Sequence, residues 1–574
     1  MSADDTWRGE ARSGAAWFGH RVRALLPRGA DYRAMRIAPG RDLIAGITVG
    51  VVALPLALAF GITSGLGAAA GLITAIVAGT VAAVFGGSNL QISGPTGAMT
   101  VVLVPIVAEY GANGVLVVGL MAGLLLVVMA IAGLGRYVRF IPLPVIEGFT
   151  LGIAVIIALQ QVPSALGVDV SGEQVVIVAV KSVGQWVTSP QWVPVAIAAG
   201  VAGLMIVAAR LRIKPAVPVA LIAVVAATIV VQVADLDVAT IGALPSTLPL
   251  PSLPAFTFSD LRILIAPAVA VAALAALESL LSATVADAMS VSQRHDPDRE
   301  LFGQGLANVA SPLFGGIPAT AAIARTAVNV RSGAVSRLSA IVHSAVLLVV
   351  VLALSTVVGL IPLAALAGVL IATALRMVEV SSLRALLHSG RSDTLVLVIT
   401  FVATVALDLA TAVILGIVAA GAIALRQVAR SATLTETPLQ EVAGSDSHTA
   451  EERELLDEHI IAFRFEGPLF FGGAHSALLE LAEVSDIRVV ILRLAHLTTL
   501  DATGAAVLSD TIRGLENRGI TVLLSGLPER FSPRLAATGI LDHLAEQNHV
   551  FSHTPDAIAH ARRHVARDGH HLSS

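Results

Sequence analysis

The chain has 574 residues, 56% of them hydrophobic and 13% charged, with a mean hydropathy of +0.84. A soluble protein of this size has no interior large enough for so much apolar surface, so the bilayer is its natural solvent. A net charge of −4 gives no footing for a nucleic-acid partner, and the absence of cysteine removes disulfides, thiolate metal sites and cysteine nucleophiles together.

Residues 1–41 form a basic arm carrying Arg21, Arg23, Arg28, Arg33, Arg36 and Arg41. It lacks a short apolar region with a cleavage site, so it is expected to remain as a cytosolic arm and not to act as a signal peptide. From Asp42 to Arg430 the sequence is a series of about fourteen apolar segments, two of them short for a bilayer that takes roughly 20 residues per helical span. Arg136 and Arg139, Arg210 to Lys214, Arg294 and Arg299, Arg331 and Arg337, Arg376 to Arg391, and Arg426 with Arg430 all fall on one expected side. The acidic-leaning stretch 233–260 falls on the other, and Lys181 is the lone exception. Basic loops stay in the cytosol, which predicts both termini inside and a multi-pass protein of the cell (inner) membrane.

The two short segments carry the functional signal. "GGSNLQISGPTGAMTVVLVPIVAEY" (86–110) and "FGGIPATAAIARTAVNVRSG" (314–333) each combine Gly-Gly, an extended stretch, a proline and a helical run. From Pro95 to Val107, or Pro318 to Val330, a helix rises only about 18 Å, short of a roughly 30 Å hydrocarbon core. The prolines suit a first helical turn, and Pro105 is expected to kink or shorten the first helix. Interrupted segments in matching places of two halves predict a transporter with its site at the membrane midplane. Two helix N-termini aimed at one point supply partial positive charge and free backbone N–H groups for an anion. Gly94 and Gly97 allow close backbone approach, or simply close helix packing.

Two charges lie within these apolar stretches. Arg325 sits in the second short helix, where a guanidinium adds a full positive charge to the dipoles unless it snorkels to the surface. Glu278, in "VAVAALAALESLLSATVADAM", is separated from Asp287 by "SLLSATVA", and Ser282 shares its helical face. Such a carboxylate is expected to face a cavity and couple an ion, or to pair structurally with Arg325. His343 and Asp408 are weaker candidates, a packed histidine and a helix cap. No Walker A run, zinc spacing or Ser-His-Asp set is found, so no cofactor, metal or enzymatic activity is expected.

After Arg430 the composition changes. Residues 431–458 are polar and acidic and are expected to be a linker. Residues 459–574 alternate β-like runs ("IIAFRF", "VVILRL", "TVLLSG") with helical stretches, the pattern of a small α/β domain.

On "GITVGVVALPLALAFG", "ISGPTGAMT", "RFIPLPVIEGFTLGIAV", "ESLLSATVADAM" and "GGIPATAAIARTAVNVRSGA", the chain resembles the SulP anion transporters, solute carrier family 26 in animals. The tail resembles a STAS domain, with "LDATG" at the strand-to-helix loop. The resemblance implies an α-helical polytopic fold in a seven-plus-seven inverted repeat, shared with nucleobase transporters. It also implies core and gate domains, a homodimer, and substrates such as sulfate, bicarbonate, chloride or carboxylates. It places Thr96, Ala322 and Ile323 along the pocket, Phe60 on one wall, and a basic residue at Arg325; Gly94, Pro95 and Ser282 support them.

Where the resemblance departs, it informs the coupling. Sodium-coupled bicarbonate members carry Asp at the Glu278 position and a Thr hydroxyl at the Ile323 position, so Ile323 argues for protons at Glu278. Leu56 stands where animal members have Gln, making that wall less polar. Ala502 stands where phosphorylated STAS proteins carry a serine, which leaves Asp501 as a helix cap and the domain as an assembly or partner-binding module. The expected activity is proton-coupled symport of a small anion by an elevator-like movement. The alternatives are an uncoupled exchanger or channel, a sodium-coupled symporter, or a sensor that transports little.

Overall fold

A computed structural model describes residues 19, 21–140, 142–170, 174–211, 217–290, 294–407, 409–430, 433–436, 459–470 and 487–567. The chain divides into two compact units, Met1–Ile417 and Val418–Ser574.

The first unit is helical. Its principal elements are α1 (Pro39–Thr63), α2 (Ala68–Phe85), β1 (Ser93–Gly94), α3 (Gly97–Ala132), α4 (Leu143–Gln160) and α5 (Trp192–Arg210). They continue with α6 (Ile265–Met289), α7 (Pro297–Leu313), β2 (Thr320–Ala321), α8 (Ile323–Arg331), α9 (Leu338–Gly359), α10 (Leu363–Met377) and α11 (Arg391–Ala406). Helix α12 (Leu409–Arg430) follows. Among the described residues, nine helices are long and apolar enough to cross a membrane, with shorter apolar ones at Val175–Thr188 and Val219–Val233.

Small residues set the packing, as expected where lipid removes the hydrophobic drive between helices. On α1, Gly46 and Gly50 let Val342 and Val346 of α9 close against the backbone; on α3, Gly123 and Gly305 of α7 meet backbone to backbone. A second set packs the same way, Gly148 of α4 on α11 and Gly368 of α10 on α5. The helices therefore sort into one group of α1–α3 with α6–α9 and another of α4, α5, α10 and α11.

Both short segments are broken, but not where the prolines suggested. Helix α3 starts at Gly97 behind the cap Thr96, so Pro95 precedes the helix instead of opening it. Helix α8 starts at Ile323, and Pro318 lies before β2. The intervening residues are held extended by pairing β1 with β2. Pro318 instead packs, with Pro312, over Gly119 of α3. Pro105 stays within α3, and the break falls at Gly111, whose φ of 70° suits a residue without a Cβ.

The unwound backbone needs partners, because the hydrocarbon offers none. Helix α7 supplies them. Asn308 accepts from Ala319 N (2.8 Å) and donates to Ala319 O (2.9 Å). Gln304 Nε2 donates to Ser93 Oγ (2.5 Å), and Glu300 accepts from Gly87 N (2.9 Å) and Ser88 N (3.0 Å). Thr74 of α2 accepts from Ile317 N (2.7 Å). Arg337, read from sequence as an inner-loop charge, is 2% exposed and donates to Val84 O and Asn89 Oδ1, both at 2.9 Å. His343 is fully buried inside α9. Asp408, Arg212 and Lys214 lie outside the described residues.

Among the described residues, the second unit holds a five-stranded sheet in the order β3 (Thr433–Glu436), β4 (Ile460–Leu469), β5 (Val489–Leu500), β6 (Thr521–Ser525), β7 (Val550–Phe551). Only the β3–β4 pairing is antiparallel. Part of the polar stretch read as a linker is therefore an edge strand. Helices α13 (Ala502–Asn517), α14 (Ile540–Glu546) and α15 (Thr554–Arg567) follow β5, precede β7 and close the described chain. Asp501 caps α13 by accepting from Gly504 N at 2.7 Å.

Candidate functional site

Strands β1 and β2 cross as a two-residue antiparallel ribbon, Ser93 opposite Ala321 and Gly94 opposite Thr320. Each leads into a helix that runs away from the ribbon, α3 behind Thr96 and α8 behind Ala322, so two helix N-termini meet at one crossing. Thr100 N and Thr326 N close the first helical bonds. The N–H groups of Gly97 and Ala98, and of Ile323, Ala324 and Arg325, have no acceptor within their own helices. That leaves a concentration of partial positive charge at the crossing.

Arg325 does not snorkel. It is 2% exposed, its Nη2 donates to Pro95 O at 2.7 Å, and its Nη1 has no hydrogen-bond partner. Gly94 makes room for it: with a φ of 153°, a Cβ there would lie 2.6 Å from Nη1. A guanidinium with unspent donors beside free backbone N–H groups has the donor chemistry to hold an oxyanion.

Glu278, partly exposed on α6, meets both broken segments. Its Oε2 accepts from the Thr96 hydroxyl at 2.8 Å and from the Thr320 hydroxyl, and the two hydroxyls lie 2.9 Å apart. Thr96 also caps α3 by accepting from Met99 N. No ion pair joins Glu278 to Arg325, so the purely structural pairing that the sequence left open is not what the structure contains. Hydroxyls can donate to a carboxylate or accept from a carboxylic acid, so this network survives a change in the protonation of Glu278.

The remaining expected residues take distinct places. Phe60 is buried against Gly97, where an added Cβ would stand 3.2 Å from its ring. Ala322 is half-buried, and Ile323 is exposed at the start of α8. Ser282 is fully buried and its hydroxyl lies 3.0 Å from that of Thr326, so it ties α6 to α8 instead of facing the crossing. A cavity of about 240 Å³, bordered by Ala59, Thr63, Val104, Gln160 and Gln161, opens beside α1 and α3. Sequence reasoning missed Thr320, although a threonine close behind a proline in each broken segment was the available signal.

Comparison with known proteins agrees with this architecture. The sequence model of the Sulfate permease family matches residues 40–400, and that of the STAS domain residues 455–557. YvdB of Bacillus subtilis (strain 168), whose sulfate-transporter name is provisional, is 37% identical over 530 residues, 89% of this chain and 96% of its own. The bicarbonate transporter BicA of Synechocystis sp. is 32% identical over 522 residues, 88% of this chain and 92% of its own. The structure of the murine Slc26a9 anion transporter in the inward-facing state matches with a TM-score of 0.80 over 94% of each chain, at 15% identity, a likeness of fold alone.

Proposed function

The chain belongs to the sulfate permease family, a family of membrane anion transporters, and from that premise we propose that it is a proton-coupled symporter of sulfate, bicarbonate or a small dicarboxylate. The observation that carries the reading is Arg325, buried at the crossing of two helix N-termini with Nη1 unpartnered. One guanidinium and a set of backbone N–H groups suit any of these oxyanions, and the names of the relatives span two of them.

In this reading the anion binds Arg325 and the free N–H groups at the heads of α3 and α8. Its charge then disfavours ionised Glu278, so a proton joins the carboxylate and the Thr96–Thr320 pair turns to accept from it. By linkage, proton and anion each raise the affinity for the other. The doubly loaded group α1–α3 with α6–α9 carries less net charge than it would with the anion alone, and slides against α4, α5, α10 and α11 as an elevator. Both termini are cytosolic in an inner membrane, the protein is a homodimer, and the STAS domain holds a cytosolic partner.

One observation favours sodium as a second reading. Glu278 Oε2 and the Thr96 and Thr320 hydroxyls bring three hard oxygens together. A hard cation takes six or so oxygen ligands, and Ile323 adds no side-chain oxygen, so the proton is preferred. Uptake of radiolabelled sulfate and bicarbonate into proteoliposomes separates the readings. An inside-alkaline pH gradient should drive accumulation and a sodium gradient should add nothing. Accumulation on sodium alone, or downhill flux that ignores both gradients, would overturn the proposal.

A further inference from the structure

The second unit contains a histidine cluster unrelated to the anion site. His549 stands between α14 and β7, and His560 and His564 lie one turn apart on α15, so they share a face. The three rings form a closed triangle, with centroids 5.6 Å (549–560), 5.4 Å (549–564) and 5.2 Å (560–564) apart. Each offers a nitrogen, and these atoms all lie within 4.8 Å of one another. His549 is 7% exposed and its Nδ1 has no hydrogen-bond partner, while His560 and His564 are half-buried. A nitrogen left unpaired at that depth is costly unless something binds it.

From this geometry we infer that His549, His560 and His564 form a binding site for a divalent transition-metal ion of the zinc type. Three imidazoles without a carboxylate suit Zn²⁺, Ni²⁺, Cu²⁺ or Co²⁺ and not Ca²⁺ or Mg²⁺. Around a tetrahedral ion with Zn–N bonds of about 2.1 Å, ligand nitrogens stand about 3.4 Å apart. Closing the triangle to that size brings the nitrogens at most about 1.4 Å nearer one another. The fourth position stays open to water. The neighbouring His543 is engaged elsewhere, 3.1 Å from Glu516 Oε2. A bound ion ties α15 to the segment that enters the edge strand β7.

The test titrates Zn²⁺ alone into the full-length protein in detergent, competing against a chromophoric chelator, with Co²⁺ as a spectroscopic stand-in. The wild type should bind one Zn²⁺ tightly and give the visible d–d bands of tetrahedral Co²⁺. The double variant His560→Gln/His564→Gln should lose at least about 100-fold in affinity, the upper end of what loss of an outer-shell partner costs. His553→Gln, and removal of residues 568–574 with His570 and His571, should change nothing. Independently of any variant, Zn²⁺ should protect His560 and His564 from carbethoxylation and leave His553 reactive. Absence of one-to-one binding by the wild type, unchanged affinity in the double variant, loss of binding with the 568–574 deletion, or no selective protection would each overturn the assignment.

Discussion

At the scale of single residues, two charges, Arg325 and Glu278, lie close to one crossing without pairing with each other. Arg325→Ala should weaken anion binding by about 2 kcal/mol or more, roughly 30-fold, because it removes the one full positive charge there. Arg325→Lys should lose less, keeping the charge and giving up the planar fork. Equilibrium binding to the purified variants reads the difference, and near-native affinity in both would show that the helix N-termini suffice. Gly94→Ala tests the same pocket from the other side: its Cβ would stand 2.6 Å from Arg325 Nη1, so anion affinity should fall in a protein that still folds. Glu278→Gln imitates the protonated acid. It should bind anion at neutral pH and exchange one anion for another, yet fail to accumulate substrate on a pH gradient. Accumulation by that variant would remove Glu278 from the coupling.

At the scale of elements, the question is why a broken membrane segment is stable. Helix α7 answers it with side chains, and Asn308 satisfies both backbone groups of Ala319. Asn308→Ala should therefore cost about 1–3 kcal/mol for each group orphaned, seen as a lower thermal unfolding midpoint. An unchanged midpoint would mean that water or a rearranged backbone replaces the amide. The breaks themselves were legible in the sequence, since Gly-Gly, an extended run and a proline recur in both segments. Their registers were not. An extended pair needs a partner from the far half of the chain, and no local pattern tells Pro95 or Pro318 that the helix waits until Gly97 or Ile323. The buried charges Arg325 and Glu278 stood out because a bilayer makes them costly, whereas Thr320 did not, because a hydroxyl among small residues is ordinary in such helices. In the second unit the β-like runs became strands, but β3 was hidden in a short, mostly polar stretch. The one-turn spacing of His560 and His564 drew no metal reading from the sequence, because His549 joins them only once β7 takes its place in the sheet.

At the scale of the whole molecule, every residue assigned to the proposed anion site precedes Arg331, within the first unit. Removing residues 431–574 should leave anion affinity unchanged while the transport rate falls, and abolished binding in a well-folded truncation would contradict that division of labour. Coupled transport requires anion and proton to meet at one crossing, and proton uptake on anion binding reads that meeting. Purified protein in weak buffer near neutral pH is mixed with substrate anion, and the pH change is read against anion bound. Wild type should take up protons in proportion to bound anion, and Glu278→Gln should bind the anion with no uptake. Anion binding without proton uptake in the wild type, or equal uptake in Glu278→Gln, would contradict the account.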